Sequence, residues 1–237
     1  MTTSTHSGPA RPIVLLHGCG GSFESAFAKT GWPDAIRASG REPFAVHLPG
    51  HGVIPAPHEP AHYADLTALL LPALPPGDFD VIGFSLGAKL ALELALRIPN
   101  RIGRVVLGGV GDNVFAPESI GEMAARALES GPTADTPPPV LAFLRTWEPQ
   151  RNDALAVAAI LRRPPNPVFT RERLGTISLP LLIVNGTEDP VGRASAALVG
   201  SLPNAMLKTI DGAGHFDLTA QPLFIRHAID FLKVPHP

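Results

Sequence analysis

Three side chains carry the chemistry this chain can do: Ser85, Asp189 and His215. Ser85 stands in Gly83-Phe84-Ser85-Leu86-Gly87, after the apolar run Phe79 to Ile82 and before an Ala/Leu-rich segment. A strand turning sharply into a helix around one serine leaves its hydroxyl exposed at the strand's C-terminal end. The flanking glycines let strand and helix pass close to a strained serine backbone. Leu86 then opens the helix, with a backbone N–H that faces developing negative charge. A hydroxyl is a poor nucleophile near neutral pH, so it needs a base. His215 lies in Asp211-Gly212-Ala213-Gly214-His215-Phe216, between the last predicted strand and the last helix. Imidazole titrates near neutrality and can take the serine proton, then return it to a leaving group.

The base needs a carboxylate to hold its tautomer. Asn185-Gly186-Thr187-Glu188-Asp189-Pro190 offers two, and Asp189 is preferred over Glu188 because the following proline fixes its loop. An oxyanion needs at least two N–H donors. Leu86 supplies one. The Gly-rich loop His17-Gly18-Cys19-Gly20-Gly21-Ser22 supplies the other, from Cys19 or else Gly20. Cys19 as a nucleophile in its own right is the weaker reading. His17 reads as a structural histidine that ties this loop down. His47 and His51 are four apart, but Pro49-Gly50 separates them and no His-Glu-x-x-His helix exists. No metal and no cofactor is expected. Phe84, Phe115, Phe143 and Trp147 are candidates for an acyl or alcohol pocket. Arg145, Arg151, Arg162 and Arg163 are possible contacts for an anionic substrate.

These residues need a scaffold that brings loop ends together. Ile13–Leu16, Phe44–Leu48, Phe79–Ile82, Val105–Val110, Leu181–Val184 and Met206–Ile210 are short apolar runs separated by helical patterns. Runs that are apolar throughout suit strands buried on both faces. Their alternation with helices predicts an α/β fold: a mostly parallel sheet of about six strands with helices on both faces. Helices are expected at Trp32–Ser39, Tyr63–Leu71, through the elbow segment to Ile98, at Val191–Leu202 and at Thr219–Lys233. In such sheets the sites lie beyond the strand C-termini, where Cys19, Ser85, Asp189 and His215 all fall.

Between Gly111 and Ile177 the alternation stops. Helical patterns at Glu118–Glu129, Val140–Thr146 and Ala154–Arg162, broken by prolines, predict a small helical lid at 112–175 inserted in a core of 13–111 and 176–237. Residues 1–12, rich in Thr, Ser, Gly and Pro, read as a flexible tail. The chain has 237 residues, 45% hydrophobic, with net charge -2. Scattered Lys and Arg leave no basic footprint for nucleic acid and no polybasic membrane patch. The single Cys19 rules out an intramolecular disulfide and fits the cytoplasm. The partner expected is a small-molecule substrate; the sequence is silent on oligomeric state.

Taken together, Leu15-Leu16-His17-Gly18, Leu48-Pro49-Gly50-His51-Gly52, Gly83 to Gly87, Asn185 to Pro190 and Gly212 to Phe216 resemble the α/β-hydrolase superfamily from Ile13 to Leu232. Chain order Ser, Asp, His is the order of that superfamily. The resemblance implies an enzyme, a serine hydrolase cleaving a carboxylic ester through an acyl-enzyme. A thioester, lactone, amide or carbon–carbon bond is the alternative within the class, and a non-catalytic receptor the alternative outside it. Family members commonly carry an aspartate where His47 stands, and many begin with an antiparallel hairpin that is not expected here. Members with a nucleophilic aspartate are disfavoured by Ser85, and the carbon–carbon hydrolases often carry an asparagine where Phe84 stands.

Overall fold

A computed structural model describes residues 11–52, 55–116 and 120–233. Residues 1–10 of the expected tail, 118–119 of the expected helix Glu118–Glu129, and 234–237 lie outside the described residues. Six strands form a single sheet: β1 (Ile13–Leu16), β2 (Pro43–Val46), β3 (Phe79–Phe84), β4 (Ile102–Gly108), β5 (Leu181–Gly186) and β6 (Ala205–Ile210). The order is β2-β1-β3-β4-β5-β6 and every pairing is parallel. The hydrophobic runs therefore located all six strands, with ends that differ by a few residues.

The helices are α1 (Trp32–Ala38), α2 (Leu66–Leu70), α3 (Leu86–Arg97), α4 (Gly121–Ser130), α5 (Pro138–Arg145), α6 (Ala154–Leu161), α7 (Arg171–Gly175), α8 (Ala196–Gly200) and α9 (Pro222–Lys233). Alternate strand residues point to opposite faces, so each strand feeds two cores. Val14, Leu16, Val81, Val105, Leu107, Leu181 and Ile183 join residues of α2, α3 and α8 on one face. Ile13, Leu15, Ile82, Val106, Leu182 and Val184 join Trp32, Ile36, Phe224 and Ile229 of α1 and α9 on the other. Trp32 is fully buried, donates its indole N–H to the Thr219 carbonyl at 2.8 Å, and meets Phe224 edge-on. Both faces are thus covered, as an all-parallel sheet requires.

At the sheet's other end Asp80 is buried without being unpaired. It takes the Arg41 guanidinium at 2.7 Å and the Arg104 N–H at 2.7 Å. Such pairing is what makes a buried carboxylate tolerable.

Helices α4 to α7 occupy the stretch between β4 and β5. α6 is apolar all round and buried from Ala156 to Ile160, so it belongs between layers. Its Ala159 and Ile160 join the main core, while Leu161 packs with Ala124, Ala127 and Val140. The short α7 has no counterpart in the sequence reading. It is capped by Thr170, whose hydroxyl accepts the Arg173 N–H, and Arg173 reaches back to Glu93 of α3 at 3.0 Å. Among the described residues no helix is long and apolar enough to cross a membrane.

Candidate active site

Ser85 sits between β3 and α3 with φ 54° and ψ −113°, the only non-glycine positive φ among the described residues. The turn is tight enough that side chains would not fit at its flanking glycines. A Cβ on Gly83 would stand 2.3 Å from the Gly87 carbonyl oxygen, and one on Gly87 2.1 Å from the Leu16 carbonyl oxygen. The pattern Gly-x-Ser-x-Gly is therefore a packing requirement of the crossing between β1, β3 and α3.

His215 and Asp189 reach Ser85 from separate loops. Ser85 Oγ donates to His215 Nε2 at 3.1 Å. His215 Nδ1–H donates to both Asp189 oxygens, at 2.9 and 3.1 Å. Asp189 has no exposed surface and His215 is buried. Burial alone would raise the Asp189 carboxyl, but the bond and charge of His215, with the Gly192 and Val191 N–H groups, hold it below the usual carboxylate range. The Val191 N–H donates to Asp189 Oδ1 at 2.7 Å. That bond bends the chain locally, and α8 starts at Ala196, five residues beyond the Val191 start expected from the sequence. Glu188, the alternative acid, is exposed.

The imidazole is sandwiched. Phe84 tilts against it at 5.0 Å between centroids, and Phe216 meets it edge-on at 5.2 Å. Gly109, at φ +64°, completes the slot: a Cβ there would lie 2.7 Å from Phe84 Cε2 and 3.0 Å from His215 Cε1. Sequence reading did not single out Gly109. Its only signal is the Gly108-Gly109 pair at the end of a strand. Asn185 was also unassigned. Its buried amide donates to the Val110 and Gly192 carbonyls and accepts the Val110 N–H, tying the β4 loop to the acid loop.

Cys19 lies on the loop after β1, and Leu86 follows Ser85 directly. Leu86 is the first residue of α3, where N–H groups have no intrahelical partner. The loop of Cys19 is held by histidines. His17 Nδ1–H donates to the Gly18 carbonyl at 2.8 Å, and its Nε2 accepts the Leu48 N–H. His51 Nε2 accepts the Gly20 N–H at 2.8 Å, while its Nδ1–H donates to the Pro49 carbonyl. The Gly20 N–H is thus engaged by His51. Burial, the largest influence, lowers His17 to about 4 and His51 to about 3, so both are neutral near pH 7.

The aromatic candidates separate. Phe84 is on His215. Phe143 packs where a Gly20 Cβ would be, 2.7 Å from its Cε2, with Trp147 Cε3 at 3.6 Å. Phe115 instead lines a cavity of about 140 Å³ with Lys89, Leu161, Asn166 and Phe169, and Arg171 stacks over its ring. Ser85 is not among that cavity's walls. Of the arginines, Arg162 binds Glu122 and Glu129, Arg151 binds Glu24 and Glu148, and Arg163 donates to the Ile160 and Asn166 carbonyls. Arg145 is exposed. No group of three or more His, Cys, Asp or Glu among the described residues is placed to hold a metal ion.

The sequence profile of the alpha/beta hydrolase family matches residues 13–227. A pimeloyl-[acyl-carrier protein] methyl ester esterase of Aromatoleum aromaticum is 30% identical, over 89% of this chain and 93% of that protein. An enzyme of the same name from Chromobacterium violaceum is 29% identical, over 95% of this chain and 93% of that one. Among solved structures, the enol-lactonase of Burkholderia xenovorans LB400 superposes with a TM-score of 0.72 at 24% identity, covering 97% of this chain and 94% of that one. The chain belongs to the alpha/beta hydrolase family and is a hydrolase.

Proposed function

We propose that the protein is a serine esterase that cleaves a carboxylic ester of a small molecule through an acyl-enzyme. The observation that carries this reading is the continuous hydrogen-bonded run from Ser85 Oγ through His215 to the buried Asp189. Ser85 Oγ attacks the ester carbonyl as His215 Nε2 takes its proton. The tetrahedral oxyanion is met by the N–H groups of Cys19 and Leu86. Removing one such donor typically costs ~10²–10³ in rate. Collapse breaks the acyl C–O bond, and His215 gives its proton to the departing alcohol. Water, deprotonated by His215, then attacks the acyl-enzyme and releases the acid. Asp189 holds the imidazole with Nδ1–H towards it and stabilises the imidazolium, itself staying ionised.

Residues 112–175 act as a lid on a core formed by 13–111 and 176–237. In support, Phe143 and Trp147 of this insertion stand against Gly20, beside the loop of Cys19. With Phe84 they offer an aromatic wall for an acyl chain. The two esterases similar to this chain are named for a methyl ester, which suits a small alcohol as leaving group. The ion-paired state of Arg162 and Arg151 argues against a cationic docking face for an anionic substrate built from them.

The test is turnover of p-nitrophenyl and methyl esters of graded acyl length, beside thioesters and lactones, in the wild type and in Ser85→Ala. A fluorophosphonate probe should label the wild type at Ser85. An active Ser85→Ala protein, or no labelling of the wild type, overturns the reading.

A further inference from the structure

The loop after β1 is built of glycines, which by themselves give a floppy backbone. It is nonetheless held at every peptide group that follows Gly18. The carbonyl of the Gly18–Cys19 peptide accepts from His17 Nδ1–H at 2.8 Å. The N–H of the next peptide, that of Gly20, donates to His51 at 2.8 Å. The carbonyls of the next two, Gly20 and Gly21, both accept from Asn152 Nδ2, at 3.2 and 3.3 Å. Asn152 Oδ1 in turn accepts the Gly52 N–H at 3.1 Å. Two carbonyls and one N–H as partners leave only one orientation of the amide. The side chain thereby joins the β1 loop to the β2 loop.

Asn152 belongs to neither loop. It lies in the insertion, between α5 and α6, and is buried at 7% exposure. Its neighbours fasten the insertion to the segment after β1: Ser22 Oγ donates to Glu148 Oε2 at 2.5 Å, and Arg151 pairs with Glu24 at 3.2 Å. An oxyanion donor works only within a few tenths of an ångström of where the charge forms. A misplacement near 1 Å can cost on the order of 10²-fold.

We propose that Asn152 is a positioning residue through which the seated insertion sets the Cys19 N–H for the oxyanion. This rests on the serine-esterase reading above. When residues 148–152 are seated, the Gly20 and Gly21 carbonyls are fixed and the donor peptide is in register. When the insertion lifts, the same two carbonyls are released and the oxyanion hole loses its shape. Substrate cover and catalytic competence are then one equilibrium.

Asn152→Asp and Asn152→Ala test this. Aspartate keeps the volume and the bond from Gly52 but has no donor for the two carbonyls. Both variants should lose about 10- to 100-fold in kcat, with KM within about threefold. The inhibition constant of an alkyl trifluoromethyl ketone, which forms a tetrahedral adduct with Ser85, should rise by the same factor. If Asn152→Ala fails to fold, the isosteric Asn152→Asp carries the test. An Asn152→Asp protein with wild-type kcat and wild-type ketone affinity overturns the inference, as does a change confined to KM. Turnover that survives Ser85→Ala overturns instead the reading beneath it.

Discussion

Helix α3 runs so close to β1 that a Cβ on Gly87 would stand 2.1 Å from the Leu16 carbonyl oxygen and 2.6 Å from that of His17. Both obstacles are backbone, so no rotamer change relieves the clash. Gly87→Ala must push α3 away from the loop that carries Cys19. We expect a loss of stability of about 3 kcal/mol or more, at the upper end of overpacking effects. Urea unfolding should show a lower midpoint with an unchanged slope. A midpoint equal to wild type would mean that the crossing has slack.

Ser85 is held at φ 54°, a conformation that costs a non-glycine residue about 1–3 kcal/mol. Ser85→Ala keeps that strain and loses the hydroxyl, so ester turnover should fall by at least about 10³-fold while stability stays within about 1 kcal/mol. Ser85→Gly relieves the strain as well. It should be equally inactive and no less stable than Ser85→Ala, despite the extra chain entropy of glycine. The difference between the two melting curves reports the strain less the added chain entropy of glycine, and so sets a lower bound on the strain.

How far the sequence carries depends on whether a signal is local. The four inner strands β1, β3, β4 and β5 were legible because a parallel strand buried on both faces reads as an apolar run, while the edge strands β2 and β6, only partly buried, were legible from their place in the strand–helix alternation. Ser85, Asp189 and His215 were legible because each follows such a run in a Gly-rich turn, and they converge within hydrogen-bonding distance. Asn152 and Gly109 were not legible. Asn152 acts on Gly20, 132 residues away, and nothing near it in sequence marks that contact. Gly109 matters for the space it leaves to His215, a property of the packed state alone. The π-helical turn Glu24–Ala28 and the short α7 are likewise set by tertiary contacts, with too few residues to show a period.

Asp189 is buried and ionised beside His215. Asp189→Asn keeps the shape but offers the imidazole an amide that can hold the wrong tautomer. Nε2 would then carry the hydrogen and could not accept from Ser85. In a serine protease this kind of change lowers kcat about 10⁴-fold. A loss of ~10³–10⁴ in kcat, with KM little altered, is expected here for the best ester substrate. Glu188→Gln, at an exposed site, should retain wild-type kcat. The reverse pattern would move the acid to Glu188.

His17 and His51 bear on stability through pH. Burial is the main reason that they titrate at about 4 and about 3 rather than near 6.5, and their mutual proximity, at 5.1 Å between rings, adds to it for His51. In the unfolded chain both take a proton near pH 6.5; in the folded chain they do not until far lower. Between those limits the unfolded state binds more protons, so stability falls as pH falls. The loss starts near pH 6.5 and continues to about 4 for His17 and about 3 for His51. Each histidine contributes a slope of up to about 1.4 kcal/mol per pH unit within its window. Asp189, held below the usual carboxylate range, weakens the fold only at more acid pH, and Glu122, Glu129 and Glu172, also held low, add to the decline near their ordinary value of 4.5, so the drop between pH 7.5 and 5.0 belongs mainly to the histidines. Urea unfolding at pH 7.5, 6.0, 5.0 and 4.5 should show the decline. His51→Gln, whose amide oxygen can still accept the Gly20 N–H, should remove about one proton's worth of slope. If its slope matches wild type, His51 is already charged in the folded protein and cannot be the acceptor that holds Gly20.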